Sequence, residues 1–189
     1  MEKLLINTER LQIRNLKTTD LEDFHKYRSN PEVTQYQGFD VMTLEQASLF
    51  IQNQQSKLFG QPGEWLQLGI ENILTQKLTG DCAIKLDIHD IRNAEIGITI
   101  SHIHQKQGYA KEAMSAMMDF LFGLKNVHRI VETVDTENIA SVALMESLGF
   151  RQEAYLIENN FIKGKWASEI QFAMLEREWH QSVLKNQRR

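Results

Sequence analysis

At 189 residues the chain fits one domain and can bury a sizeable core, and 42% apolar with 24% charged residues is ordinary globular composition. A net charge of −4 gives no basic footprint for nucleic acid, and the cluster Lys185, Arg188 and Arg189 is short enough to be a frayed tail. Cys82 is the only cysteine, which excludes an intrachain disulfide; with no signal peptide and no bilayer-length apolar run, a cytoplasmic protein without a membrane partner is expected.

In chain order, Leu11 to Arg14 reads as a first strand. Thr18-Thr19-Asp20 offers caps for a helix carrying Leu21, Phe24, His25 and Tyr27. Asn30-Pro31 and Gln61-Pro62-Gly63 read as turns. Thr43-x-x-Gln46 has the form of a capping box, before a helix with Ala47, Phe50 and Ile51 on one side. Trp65 to Ile70, Asp81 to Asp87 and Ala94 to Ser101 read as successive strands, with Gly80 at a turn, and Arg129 to Val134 as another. Thr136 or Asn138 caps a helix bearing Ala140, Ala143, Leu144 and Leu148, which Gly149 stops. Glu153 to Glu158 and Glu169 to Leu175 form a hairpin turning near Lys163-Gly164. The sum is α+β: helices flanking one mixed, mostly antiparallel sheet in a single domain over residues 1–189.

The most informative stretch is 95–122, where the period changes. Ile96, Ile98 and Ile100 alternate with Gly97, Thr99 and Ser101, as in a half-buried strand. From Ala110 on, Ala113, Met114, Met117, Met118 and Leu121 form one helical stripe. Between them lies Gln105-Lys106-Gln107-Gly108-Tyr109-Ala110. A loop that opens a helix presents unpaired N–H groups at the positive end of the helix dipole, and Gly108 and Ala110 let a diphosphate approach the backbone. No Gly-Lys-Ser/Thr follows, and the three-glycine dinucleotide fingerprint is absent, so neither a P-loop nor a Rossmann site is read here.

Gln105-x-x-Gly108-x-Ala110 resembles the acetyl-CoA pyrophosphate loop of the GNAT N-acetyltransferases. His128-Arg129-Ile130, Asn138-Ile139-Ala140-Ser141 and the segment Leu144 to Phe150 resemble the family's second CoA-binding segment. Asn7 to Arg14, Gly164-Lys165-Trp166 and Leu175-x-x-x-Glu178-Trp179 resemble the branch typified by ribosomal-protein N-terminal acetyltransferases (RimJ/RimL-like). The resemblance implies a sheet splayed open after the fourth strand, with acetyl-CoA as cosubstrate in the gap and no metal. It implies that the backbone around Ile98, Ile100, Ser101, His102 and Ile103 holds pantetheine and the thioester oxygen. The pyrophosphate falls to Gln105, Gln107, Gly108, Tyr109, Ala110 and Lys111, although Lys106 stands where this branch often has glycine.

Transfer of acetyl to an amine needs a neutral nucleophile, a held thioester, an oxyanion site and a proton for the thiolate. Glu95, at the start of the strand lining the cleft, is the candidate general base, with water as the alternative. Many GNAT proteins carry a tyrosine proton donor where this chain has Met145, which the resemblance places among the CoA contacts but which has no proton to give. Ser141, one helical turn earlier, is either the donor or a CoA contact, and Asn138 orients the pantetheine amides. The His102 and His104 pair lacks the carboxylates or cysteines that would complete a metal site. Cys82 and the methionine stripe read as core, and Tyr36, Phe39 and Trp65 as acceptor pocket or core. The expected activity is direct attack on acetyl-CoA by a primary amine in a ternary complex. The acceptor is a protein N-terminus, or alternatively a small amine or antibiotic, and the resemblance leaves a homodimer open. A rival is a non-catalytic acyl-CoA-binding module, and a third reading is a general nucleotide-binding protein.

Overall fold

The computed structural model, which describes residues 3–186, gathers the alternating segments into one open sheet. Its strands are β1 Leu5–Asn7, β2 Leu11–Asn15, β3 Leu66–Asn72, β4 Lys77–Leu86, β5 Asn93–Ile100, β6 Arg129–Asp135, β7 Arg151–Ile162 and β8 Lys165–Leu175. They hydrogen-bond in the order β1-β2-β3-β4-β5-β6-β8-β7, and only the β5–β6 pair is parallel. Three helices, α1 Leu21–Arg28, α2 Pro31–Thr34 and α3 Leu44–Gln55, precede β3. Helix α4 (Tyr109–Asp119) connects β5 to β6, α5 (Ile139–Leu148) connects β6 to β7, and α6 (Glu176–Asn186) follows β8.

Strand alternation sorts the side chains onto two faces. On one, Cys82, Ile84, Ile96, Ile130 and Phe172 pack with Met114, Met117 and Met118 of α4 and with Met145 and Leu148 of α5. On the other, Asp81 accepts from Tyr27 and Arg28 of α1, whose Phe24 and Tyr27 pack with Ala47 and Ile51 of α3. Arg28 and Asp81 are both buried, so each charge depends on the other and on the added donors from Tyr27 and Gln67. This pair fixes α1 against β4.

The capping box at Thr43 and Gln46 forms as the sequence predicts, and the hairpin turns through Lys163 and Gly164 at φ +49° and +80°. Four details differ from expectation. Gly80 is not a turn residue: it pairs with Ile100, and a Cβ there would lie 2.2 Å from the Thr99 carbonyl oxygen, so it serves close strand approach. Asn30-Pro31 starts a helix, with Asn30 accepting from Glu32 N and proline at N1. Asp20 sits at the α1 N-cap without a cap bond, because Arg14 and the Lys17 N–H take its carboxylate. The edge strand β1 carries no sequence signal. Counted with it, the splay opens after the fifth strand; without it, after the fourth. Arg188 and Arg189 of the expected tail lie outside the described residues.

Candidate active site

The β5–β6 ladder consists of three pairs, Asn93↔Arg129, Ala94↔Ile130 and Glu95↔Val131. Beyond them β5 stays with β4 through Ile100 and β6 stays with β8 through Asp135, so the two central strands part. A cavity of about 500 Å³ occupies this region, lined by Ile98, Thr99 and Ile100 of β5. The loop and first turn of α4 supply Gln105, Lys106, Gly108, Tyr109, Ala110 and Lys111, and α5 supplies Asn138, Ser141 and their neighbours. Glu32, Val33, Tyr36 and Gln37, from α2 and the segment after it, complete the lining.

The loop is shaped for an anion. Gly108 is the α4 N-cap at φ +82°, a left-handed conformation that favours glycine, and contributes no side-chain cap. The N–H groups of Tyr109, Ala110 and Lys111 therefore have no intrahelical partner and sit at the positive helix end. Lys106 takes φ +59°, so a lysine makes the turn where glycine would be easier. Arg10 braces the loop from the β1–β2 side: its Nη1 donates to the Gln107 carbonyl at 3.1 Å, and its guanidinium stacks 4.6 Å from the Tyr109 ring centre. Burial alone would raise the Glu112 carboxyl, but hydrogen bonds from Thr8 and Arg10 outweigh it and hold it below the usual range.

On α5, the Asn138 side chain caps the helix by accepting from Ser141 N at 3.2 Å, which fixes Ser141 in the first turn beside the cavity. His104 also lines the cavity, edge-on to Tyr109 with ring centres 6.3 Å apart, and burial lowers its imidazole.

The pattern of the acetyltransferase (GNAT) domain matches residues 10–151. The chain belongs to the GNAT acetyltransferase family. It is 32% identical over 174 residues to the uncharacterized N-acetyltransferase p20 of Bacillus licheniformis, covering 91% of this chain and 96% of that one. A spermidine N(1)-acetyltransferase of Vibrio cholerae is 37% identical over 75 residues, 40% of this chain and 43% of its own length. The crystal structure of a GNAT-family acetyltransferase from Bacillus anthracis superposes with a TM-score of 0.82 at 29% identity, covering 93% of this chain and all of that one. The chain is an acetyl-CoA-dependent N-acetyltransferase.

The GNAT cosubstrate fits what the cavity offers: free helix N–H groups and Lys106 and Lys111 for a diphosphate, and the unpaired edge of β5 for an amide-bearing arm. Of the residues expected to touch it, the structure brings Ile98, Ile100, Gln105, Gly108, Tyr109, Ala110, Lys111, Asn138 and Ser141 to one cavity. Others stand outside its lining. Ser101 is buried, its N–H donating to the Thr79 carbonyl at 2.9 Å. His102 and Ile103 form an exposed 3-10 turn, and Gln107 donates back to the Ile103 carbonyl at 3.1 Å. Met145 is fully buried on the core side of α5 because the helix turns Ala140, Ser141, Ala143 and Leu144 to the cavity instead.

Glu95 also stands outside the lining. It faces away from α4, opposite Lys85 in the strand register, and forms an ion pair with that lysine. Lys85 in turn lies 4.6 Å from the Trp65 ring centre, and Phe39 stacks on Arg28 at 4.5 Å, so of the three aromatics only Tyr36 lines the cavity. Among the described residues no group of three or more His, Cys, Asp or Glu converges as a metal site. Cys82 is fully buried, and burial pushes its thiol well up. The buried Glu132 escapes a residue-type search. Its signal is a charge at the centre of the apolar alternation Ile130-x-Glu132-x-Val134.

Proposed function

We propose that this N-acetyltransferase works by direct attack of a primary amine on acetyl-CoA, with both substrates held together in the cavity between β5 and β6. The observation that carries this is continuity: one cavity joins the α4 N-terminus and the free edge of β5 to the polar wall of Glu32, Tyr36 and Gln37. The acyl donor supplies a thioester activated toward nucleophiles. The amine nitrogen forms the new C–N bond, the C–S bond breaks with its electron pair leaving on sulfur, and one proton passes from nitrogen to thiolate overall. Glu95 takes the amine proton through a chain of waters, since it stands four residues, roughly 13 Å, along the same face of β5 from the cavity residue Thr99. Ser141 returns a proton to the thiolate from the first turn of α5. The N–H groups of the β5 edge stabilise the oxyanion.

The acceptor in this reading is a protein N-terminal amine, supported by the sequence resemblance to the ribosomal-protein branch. A small polyamine is a second reading. The Lys163 ammonium donates to the Thr34 carbonyl, tying the β7–β8 turn to the segment that carries Tyr36 and Gln37, and Glu32 supplies a carboxylate to that wall. A tied wall with one carboxylate suits a compact cation. Steady-state acetylation of peptides with varied N-terminal residues, run beside spermidine and other small amines, separates the two. Intersecting double-reciprocal lines support the ternary complex, and parallel lines overturn it. No turnover with any amine, while acetyl-CoA binds, would leave the binding-module reading.

A further inference from the structure

Glu132 lies directly beyond the last β5–β6 pair, where the strands part. Its register partner on β8 is Phe172, and it alternates with Ile130 and Val134, all three of them core residues beneath α4 and α5. This is the face toward α4 and α5, which the cavity residues Ile98 and Ile100 share; Glu132 stands beneath that lining and is not part of it, and Glu95, with Lys85, occupies the other face. Glu132 is 8% exposed, and its Oε2 meets no hydrogen-bond partner. A buried carboxyl oxygen left unpaired is costly, and native interiors rarely leave one without a reason.

The geometry points to Glu132 as a neutral hydrogen-bonding group at the apex of the split, whose unpaired carboxyl binds the acyl end of the cosubstrate when it enters between β5 and β6. The assignment rests on the acetyl-CoA reading of the cavity and adds to it a contact that the helix-terminus loop does not supply. The neutral form follows from the surroundings. Burial first, and then the nearby Glu95 charge, push the Glu132 carboxyl up to about 8. Its β8 neighbours Gln171, Phe172 and Ala173 carry no charge, and the buried α4 and α5 residues in this core are methionine, alanine and leucine, with the partly buried Tyr109 and Val142 packed against them. Arg129 and Asp135 stand at the two ends of β6, Arg129 engaged with Glu153. Glu95 is thus the charged group acting on it, and Glu95 is itself paired with Lys85. A protonated carboxyl donates as well as accepts, which an ionised one does not.

Calorimetric titration with acetyl-CoA tests this, using adenosine 3′,5′-bisphosphate as a probe that has the phosphates and lacks the pantetheine arm. In the wild type, acetyl-CoA affinity should hold to pH 8 and then fall by about tenfold per pH unit, while bisphosphate affinity does not follow that fall. Glu132→Gln keeps a neutral donor and acceptor, so its acetyl-CoA affinity should stay within about threefold at pH 7 and lose the alkaline fall. Glu132→Leu should bind the bisphosphate normally and acetyl-CoA about 3–10-fold more weakly, the loss of one net hydrogen bond. Acetyl-CoA affinity that tracks the bisphosphate from pH 7 to 9.5, or a folded Glu132→Leu that binds acetyl-CoA as the wild type does, overturns the assignment. Should Glu132→Leu not fold, the wild-type and Glu132→Gln pH profiles decide alone. If the wild type binds neither probe, the acetyl-CoA reading of the cavity fails instead.

Discussion

Glu132→Gln also makes a thermodynamic prediction that needs no ligand. In the unfolded chain this carboxyl titrates near 4.5, and in the folded protein near 8, raised by burial and by Glu95. Between those two pH values the folded state holds a proton that the unfolded state has released. Stability must therefore fall as pH rises through this window, by about 1.4 kcal/mol per unit, and level off above it. Over some 3.5 units the penalty reaches about 4–5 kcal/mol. An amide of the same shape does not ionise, so the variant should match the wild type near pH 4.5 and exceed it by several kcal/mol at pH 8.5. Urea denaturation followed by circular dichroism reads this directly. With a slope of about 2 kcal/mol per molar, the variant midpoint should lie roughly 2 M higher at pH 8.5 and coincide near pH 4.5. Groups common to both proteins cancel in the difference, including His104, whose imidazole burial lowers. Midpoints that run parallel from pH 5 to 8.5 would mean that the Glu132 carboxyl is solvated, and the burial argument would be refuted.

Four further outcomes follow from the site and its frame. Gly108→Glu places a charge at the α4 N-cap and forces a side chain into φ +82°, so acetyl-CoA affinity should drop at least tenfold in a folded protein; calorimetry showing no change would remove the loop from the site. Ser141→Ala should lower kcat with little change in acetyl-CoA binding if the hydroxyl protonates the thiolate, whereas a loss confined to KM makes it a contact only. Glu95→Gln should lower kcat/KM by about 10²–10⁴-fold and abolish the acidic limb of the pH–rate profile; a wild-type profile assigns the base to another group. Gly80→Ala sets a Cβ 2.2 Å from the Thr99 carbonyl oxygen, so the strands must move, and thermal melting should show a loss of about 1–3 kcal/mol.

The parts of this protein that were readable from sequence are those specified by local chemistry. The change of period between Ile100 and Ala110 locates the strand, loop and helix because residues a few positions apart decide each one. The same holds for the Thr43 capping box, the Asn138 cap and the turn at Gly164. What sequence reading missed depends on contacts between distant segments. Gly80 needs the Thr99 carbonyl, which lies across a strand pair, and β1 is three residues whose ladder depends on β2. Glu32 and Gln37 reach the cavity from a segment held by distant partners, the buried Arg28–Asp81 pair at the end of α1 and the Lys163 bond to the Thr34 carbonyl. Helix α5 shows how periodicity misleads. Ala140, Ala143 and Leu144 have core spacing, yet they line a cavity, and an apolar arm of a ligand asks for the same residues as a protein interior does.

The opening segment Thr8-Glu9-Arg10-Leu11 acquires a physical meaning from the folded chain. Thr8 Oγ1 and the Arg10 N–H both reach Glu112 Oε1, and Arg10 Nε donates to Oε2 at 2.7 Å. Glu112 stands in the first turn of α4, about a hundred residues along the chain, so the segment and the cradle form one unit. An anionic residue in a helix's first turn normally competes with any anion bound there. Here its charge is spent on Arg10, which also holds the Gln107 carbonyl and covers the Tyr109 ring. Arg10 is consequently neutralised in place, and it supports the loop without serving as the phosphate charge. In the acetyl-CoA reading proposed above, the attraction for a diphosphate would then come from the N–H groups of Tyr109, Ala110 and Lys111 and the ammonium groups of Lys106 and Lys111. A front motif in this branch can therefore belong to cosubstrate binding without touching the cosubstrate, because it fixes the loop proposed to hold it.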